Sequence, residues 1–189
     1  MIPKNIHIIW IGGKSFPEVC SRYFAQWKFL HPDWSVKLWG NEEVSAAYPE
    51  AYRLLSGADE ASISDLLRYK ILYDFGGVYA DADVEPLKPF TPLLPLGGFL
   101  IGRRRKGVCG NTFLAEKGNG VCSEAMAYWP KVKRGGPLCD HLLSKFSGEL
   151  VQLPEAYFQA DVPTEESYSS HWSHPLGSWT HKEIPLKRR

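Results

Sequence analysis

Asp81-Ala82-Asp83 is the spacing in this 189-residue chain with the plainest chemical content. It follows the short apolar run Val78-Tyr79-Ala80, which reads as a strand. In an extended chain, residues two apart face the same way, so both carboxylates can reach one hard cation or its water shell. Ala82 then leaves the opposite face free to pack. A divalent metal held there can bridge the two phosphates of a nucleotide diphosphate and neutralise the charge that builds as that group departs. The pattern is short enough that solvated acidic loops also produce it. Upstream, Asp65 and Arg68 lie three apart on a helical pattern and are therefore neighbours on one face. They read either as a surface ion pair or as part of the same site.

Elements that can position these groups alternate between strand and helix period. Ile6 to Ile11 is β-branched and apolar, a strand buried on both faces and stopped by Gly12-Gly13. A helix should follow, with Ser15 as N-cap, Pro17 in its first turn, and Cys20, Tyr23, Phe24, Trp27 and Leu30 at spacings of three and four. His31-Pro32 ends it. Trp34, Val36 and Leu38 mark a second strand, and Asn41-Glu42-Glu43 opens a short helix that Pro49 interrupts. Ser62 to Phe75 is a helix with Ile63, Leu66, Leu67 and Ile71 as its apolar stripe, stopped by Gly76-Gly77. This β-α-β-α order predicts an α/β fold with a mainly parallel sheet covered by helices, which presents ligands at the carboxyl ends of its strands.

The block Ser64-Asp65-Leu66-Leu67-Arg68, then Gly76-Gly77-Val78-Tyr79-Ala80-Asp81-Ala82-Asp83, resembles the S-D-x-x-R…G-G-x-Y-x-D-x-D block of the family 32 glycosyltransferases. These are DXD-containing mannosyl- and galactosyltransferases, with the sugar-transferring domains of clostridial toxins as distant cousins. Ile2-Pro3-Lys4 to Ile8-Ile9-Trp10 is similar to the family's first strand. Tyr168-Ser169-Ser170-His171-Trp172, followed by Ser178-Trp179, is similar to its carboxyl-terminal H-W…S-W element. The resemblance implies a GT-A fold, a nucleotide-diphosphosugar transferase sandwich with a mixed, mainly parallel sheet. It implies one catalytic domain over 1–189, a manganese or magnesium cofactor, and Asp81 and Asp83 as its ligands, Asp83 most directly. His171 would complete the set. The five residues between Trp172 and Ser178 exceed the family spacing and make His174 a rival. Asp65 and Arg68 would meet the donor's sugar hydroxyls and phosphate, and Trp10 would stack on the nucleobase. Tyr79 either faces the donor or fills the sheet. Asn111 either hydrogen-bonds the sugar or leads a turn. Trp172, Ser178 and Trp179 would wall the donor pocket or pack the tail against the core. The family retains anomeric configuration, and no carboxylate stands apart as a covalent nucleophile, which implies front-face substitution.

Composition narrows the rest. A hydrophobic share of 44% suits one substantial core, and a net charge of +1 gives no overall field towards nucleic acid or an anionic membrane. The run Arg103-Arg104-Arg105-Lys106 reads as a solvated loop, and it leaves a polyanionic acceptor, nucleic acid included, open. Cys20, Cys109, Cys122 and Cys139 are too scattered for a structural zinc site or a disulfide scaffold. With no secretory signal pattern and no long apolar run, the expectation is a cytoplasmic protein without a transmembrane segment. The reaction expected is transfer of a hexose from a nucleotide sugar, UDP-linked by preference and GDP-mannose as the variant. Its acceptor is unidentified, with a polysaccharide as one option. The competing readings are a donor-binding relic without turnover and a metal-dependent phosphohydrolase or nuclease.

Overall fold

A computed structural model describes residues 1–54, 59–104, 107–158 and 163–171, apart from the side chain of Cys109. In chain order the elements are β1 (Asn5–Ile9), α1 (Glu18–Leu30), β2 (Ser35–Trp39), α2 (Asn41–Ala47), α3 (Pro49–Arg53), α4 (Glu60–Phe75), β3 (Gly77–Ala80) and β4 (Val84–Pro86). After a 3₁₀ turn at Thr91–Leu96 come β5 (Phe99–Arg103), β6 (Val108–Ala115), α5 (Gly120–Val132), α6 (Gly135–Lys145), β7 (Leu150–Leu153), α7 (Glu155–Phe158) and β8 (Ser169–His171).

Six strands form one sheet in the order β2-β1-β3-β6-β5-β7. β1 runs parallel to β2 and β3, and β5 runs parallel to β7. β6 is antiparallel to both of its neighbours, β3 and β5. Alternation along each strand feeds two cores. Ile9, Tyr79, Ile101 and Phe113 pack under α4, α5 and α6 on one face. Ile6, Ile8, Val78, Leu100 and Leu114 pack with Cys20 and Trp27 of α1 on the other. The expected mixed, mainly parallel sheet between helices is present.

Local chemistry explains most boundaries, and some differ from expectation. α1 begins at Glu18 with Pro17, not Ser15, at its N-cap, and no side chain caps it. Proline's ring fixes the extended entry of the chain at φ −64°, and its carbonyl accepts the Ser21 N–H at 2.9 Å as the first bond of the helix. α4 begins two residues earlier than the pattern suggests, because the Asp59 carboxylate accepts the Ser62 N–H at 2.8 Å. At its far end Gly76 has φ +63° and Gly77 φ +108°, and these two positive values turn the chain from α4 directly into β3. The larger departure concerns the carboxylates. The strand stops at Ala80, and Asp81 to Val84 forms a turn closed by the Val84 N–H donating to the Asp81 carbonyl at 3.0 Å. A small second sheet follows, in which β4 pairs antiparallel with β8.

Candidate active site

β3 and α4 deliver most of the site. Tyr79 and Asp81 lie two apart and point the same way, so the Tyr79 hydroxyl donates to Asp81 Oδ1 at 2.5 Å. β6 holds the Asp81 backbone through the Asn111 carbonyl, 2.8 Å from the Asp81 nitrogen. From α4, one guanidinium nitrogen of Arg68 lies 2.6 Å from Asp65 Oδ1 and 3.6 Å from Asp81 Oδ1. The other terminal nitrogen donates to the Gly110 carbonyl at 2.5 Å, and the guanidinium carbon sits 4.7 Å from the centre of the Tyr79 ring. The remaining Asp65 oxygen accepts the Gly135 N–H at 2.7 Å. The Asp65–Arg68 pair is therefore built into the site, with both side chains largely buried, and the surface-pair alternative falls away.

The turn and the small sheet bring in the other groups. Val84 is opposite His171 in the β4–β8 register, which places the imidazole beside Asp83. α1 supports this ribbon: the Trp27 indole donates to the Val84 carbonyl at 3.3 Å and the Gln26 amide to the Pro86 carbonyl at 2.6 Å. His171 Nε2 is 3.4 Å from Asp83 Oδ1. One ligand atom each from Asp81, Asp83 and His171 lies within 4.8 Å of the others. Two carboxylates thus converge as the sequence implies, through a turn instead of an extended strand.

Electrostatics in this cluster are strained in one direction. Asp83 is 2% exposed, yet neither of its oxygens accepts a hydrogen bond from the described residues. A buried carboxylate left that way is costly, and a bound cation removes the cost. Burial pushes the Asp81 carboxyl up, opposed by the Arg68 guanidinium and reinforced by the Asp83 charge. Burial alone would make Arg68 easier to deprotonate, but the surrounding Tyr79, Asp81 and Asp65 more than offset this and raise its pKa. His171 is also raised: burial lowers it, and the neighbouring carboxylates of Asp83, 3.4 Å away, and Asp81 outweigh that. Two carboxylates and one imidazole form a donor set that fits a divalent ion of the manganese or magnesium kind. The free Asp83 oxygens are the local sign that the residues present suit such an ion.

A cleft of about 400 Å³ opens beside these groups, with Asp83 buried behind its lining. Asp65, Arg68, Tyr79, Asp81, Asn111 and His171 all line it. Trp10 does not line it. Its indole donates to the Lys14 carbonyl at 2.9 Å and its ring meets Phe16 edge-on, while the preceding Ile9 faces the cleft. Tyr79 fills the sheet, as one of its two readings has it: it is 1% exposed and packs tilted on Phe113, while its hydroxyl turns to Asp81 at the cleft. Asn111 lies within β6, so it leads no turn. Trp172, His174, Ser178 and Trp179 lie outside the described residues, as do Arg105 and Lys106 of the basic run. Sequence reasoning missed Arg104 as a lining residue, and also Gly135-Gly136. The signal for the second was the glycine pair before Pro137, at the start of a helical pattern.

Comparisons with known proteins agree with this geometry. The family described as "Glycosyltransferase sugar-binding region containing DXD motif" matches residues 17–99. Inositol phosphoceramide mannosyltransferase 1 of Schizosaccharomyces pombe is 33% identical over 108 residues, which cover 53% of this chain and 34% of that protein. The initiation-specific alpha-1,6-mannosyltransferase of Candida albicans is 33% identical over 98 residues, covering 46% and 26%. The chain therefore spans only about a third or less of those two proteins. Among solved structures, the PaToxG glycosyltransferase superposes with a TM-score of 0.62 at 19% identity, covering 78% of this chain and 71% of that one. The galactosyltransferase LgtC, solved with donor and acceptor sugar analogues, superposes at 0.58 with 11% identity, covering 94% and 90%. Sequence block, site geometry and both kinds of comparison point the same way: residues 17–99 match the DXD-containing sugar-binding region of glycosyltransferases, and the chain folds as a GT-A glycosyltransferase does.

Proposed function

We propose that this chain, as one catalytic domain, moves a hexose from a nucleotide-diphosphate sugar to an acceptor in a metal-dependent reaction that retains anomeric configuration. The convergence of Asp81, Asp83 and His171 beside the Asp65–Arg68 pair, at the edge of a cleft of about 400 Å³, carries the reading. A divalent ion held by Asp81, Asp83 and His171 would neutralise charge on the departing diphosphate. Arg68 adds a permanent positive charge beside it, locked by Asp65 and the Gly110 carbonyl so that little reorganisation is needed during reaction. Asp65 keeps lone pairs free to accept from sugar hydroxyls even with two donors already bound. Tyr79 fixes the orientation of Asp81. The departing phosphate oxygen itself accepts the acceptor's proton as the bond to the diphosphate breaks and the new bond forms on the same face.

Two fungal relatives are named as mannosyltransferases and the structural neighbour LgtC as a galactosyltransferase, so mannose and galactose head the candidate sugars, on GDP or UDP. Trp10, at the carboxyl end of β1, is the proposed base contact, with Asn111 on the sugar side. A glycan or an inositol-phosphate lipid headgroup is the acceptor class that the relatives' names suggest. No described helix is long and apolar enough to cross a membrane. The cytoplasmic placement expected from the sequence remains a proposal for fractionation to decide.

The deciding experiment measures nucleoside diphosphate release from UDP-galactose, UDP-glucose, UDP-N-acetylglucosamine and GDP-mannose, with manganese and with a chelator. Manganese-dependent release from at least one donor is expected. Binding without release would make the chain a donor-binding relic. Phosphate release from plain phosphate esters would support hydrolysis instead, although the described acidic and imidazole groups form only one metal-competent cluster.

A further inference from the structure

The wall of the cleft beside Asp65 carries no side chain, and its placement is tightly controlled. The turn between α5 and α6 contains Lys133 with φ +49°, the only described residue other than glycine with a positive φ. Four contacts from the start of α4 hold that turn. The Ser62 hydroxyl donates to the Lys133 carbonyl at 2.6 Å, and the Trp129 indole donates to the Ser62 carbonyl at 3.1 Å. Asp59 lies 3.8 Å from Arg134, and Asp65 accepts the Gly135 N–H at 2.7 Å. The helix that supplies Asp65 and Arg68 therefore also positions the first residues of α6.

Gly135 and Gly136 both line the cleft, and they are glycine for different reasons. A Cβ on Gly135 would stand 2.7 Å from Asp65 Oδ1, so packing demands glycine there. At Gly136 a Cβ would meet nothing within 4 Å, and φ there is not positive. Neither packing nor backbone conformation requires glycine at 136, and inside a helix it carries an entropic cost. What its lack of a side chain provides is open space in the cleft.

We propose that Gly136 sets the bulk of sugar that the cleft admits: a side chain at 136 would occupy the space of the donor's hexose and leave the nucleoside diphosphate undisturbed. This rests on the donor site proposed above. With the diphosphate at Asp81, Asp83 and His171, the next polar groups along the cleft are Arg68 and then Asp65, whose second oxygen is bonded to Gly135. Residue 136 therefore stands at the Asp65 end of this series, away from the metal-binding triad.

The test uses Gly136→Ala, Gly136→Ser and Gly136→Leu in the full chain, with manganese. Calorimetry compares UDP and GDP alone with UDP-galactose, UDP-glucose and GDP-mannose. Each variant's melting is followed by circular dichroism. The account expects nucleoside diphosphate affinity within about twofold of wild type throughout, graded loss of nucleotide-sugar affinity from alanine to leucine, and at least about a tenfold loss for leucine. Should leucine prevent folding, the graded loss in the alanine and serine variants decides. Unchanged sugar binding in a folded variant, or an equal loss of diphosphate and nucleotide sugar, would overturn the assignment of Gly136. Wild-type protein that binds the diphosphates and none of these sugars would overturn the donor proposal itself.

Discussion

Asp83 matters most at the scale of single residues, because its two buried oxygens find no hydrogen bond among the described residues, an arrangement that a bound cation would relieve. Replacing it with alanine removes a buried carboxylate that no described hydrogen bond satisfies and that the His171 imidazole meets only at 3.4 Å. Asp83→Ala should therefore melt at the same temperature or higher in a chelator, by on the order of 1 kcal/mol, while turnover falls by orders of magnitude. Parallel melting curves and donor-release rates check this, and a variant that is both unstable and active would contradict it. Arg68 should behave in the opposite sense. It is the positive charge facing both Asp65 and Asp81, and Arg68→Ala leaves two carboxylates without their partner, at a cost of about 3 kcal/mol or more in urea denaturation. At this scale the sequence was largely readable. Asp81, Asp83, Asp65 and Arg68 were all identifiable, since residue type and spacing carry the chemistry. The turn at Asp81–Val84 was not, because a closing backbone hydrogen bond leaves no signature in Asp-Ala-Asp-Val. The approach of His171 was also hidden, since Ser169-Ser170-His171 has no strand-like composition and pairs only because β4 offers an edge.

Elements are joined in this fold by groups that tolerate little change. Gly77 links α4 to β3 with φ +108°, and a Cβ there would stand 2.4 Å from the Asn5 carbonyl oxygen of the neighbouring strand. Gly77→Ala should cost roughly 2 kcal/mol or more, seen as a lower urea midpoint with an unchanged slope. His7, on β1, ties three segments together. Its Nε2 lies 3.0 Å from the Gly76 carbonyl, and its Nδ1 accepts the Trp39 indole N–H at 3.2 Å. That arrangement requires the neutral ring with its proton on Nε2. Burial holds its pKa at about 4, below the ordinary 6.5, with the Gly76 carbonyl pulling upward and Lys37 adding to the fall. The unfolded chain therefore binds this proton more readily than the folded one. Its contribution is complete above about pH 6.5 and is lost as pH falls towards 4, amounting to about 2 kcal/mol between pH 7 and pH 5. Urea titrations at several pH values check the slope, and His7→Gln should flatten it, leaving the contribution of the similarly lowered His31. Helix and strand periods revealed β1, α1, β2 and α4, whose apolar faces are long. They did not reveal the Asp59 cap, which lies before the apolar stripe and is recognised by a backbone N–H, or the β4–β8 ribbon, whose strands are only three residues each.

For the whole molecule, the site is a meeting point of distant chain segments: α4 and β3 in the middle, β6 and α6 after them, and β8 near the end of the described residues. A ligand that binds only this assembled state must stabilise it. Manganese with the matching nucleoside diphosphate at a hundred times its Kd should add about 2.7 kcal/mol. In a chain of this length that is a rise in melting temperature of roughly 5 to 10 °C. Manganese or nucleotide alone should give far less. The strand and helix alternation gave an α/β fold with a mainly parallel sheet, and its GT-A form came from the resemblance of the central motif block. The reversal of β6 did not, since strand direction depends on connections that leave no local pattern. The central claim is that Asp81, Asp83 and His171 hold one divalent ion that in turn holds the diphosphate. Calorimetric titration of UDP and GDP into the wild-type protein and Asp83→Ala, with manganese and with chelator, tests it most directly. The account predicts saturable binding of one nucleotide by the wild type with manganese, lost in the chelator and in the variant. Equal binding by a folded Asp83→Ala variant, or binding that ignores the chelator, would contradict it.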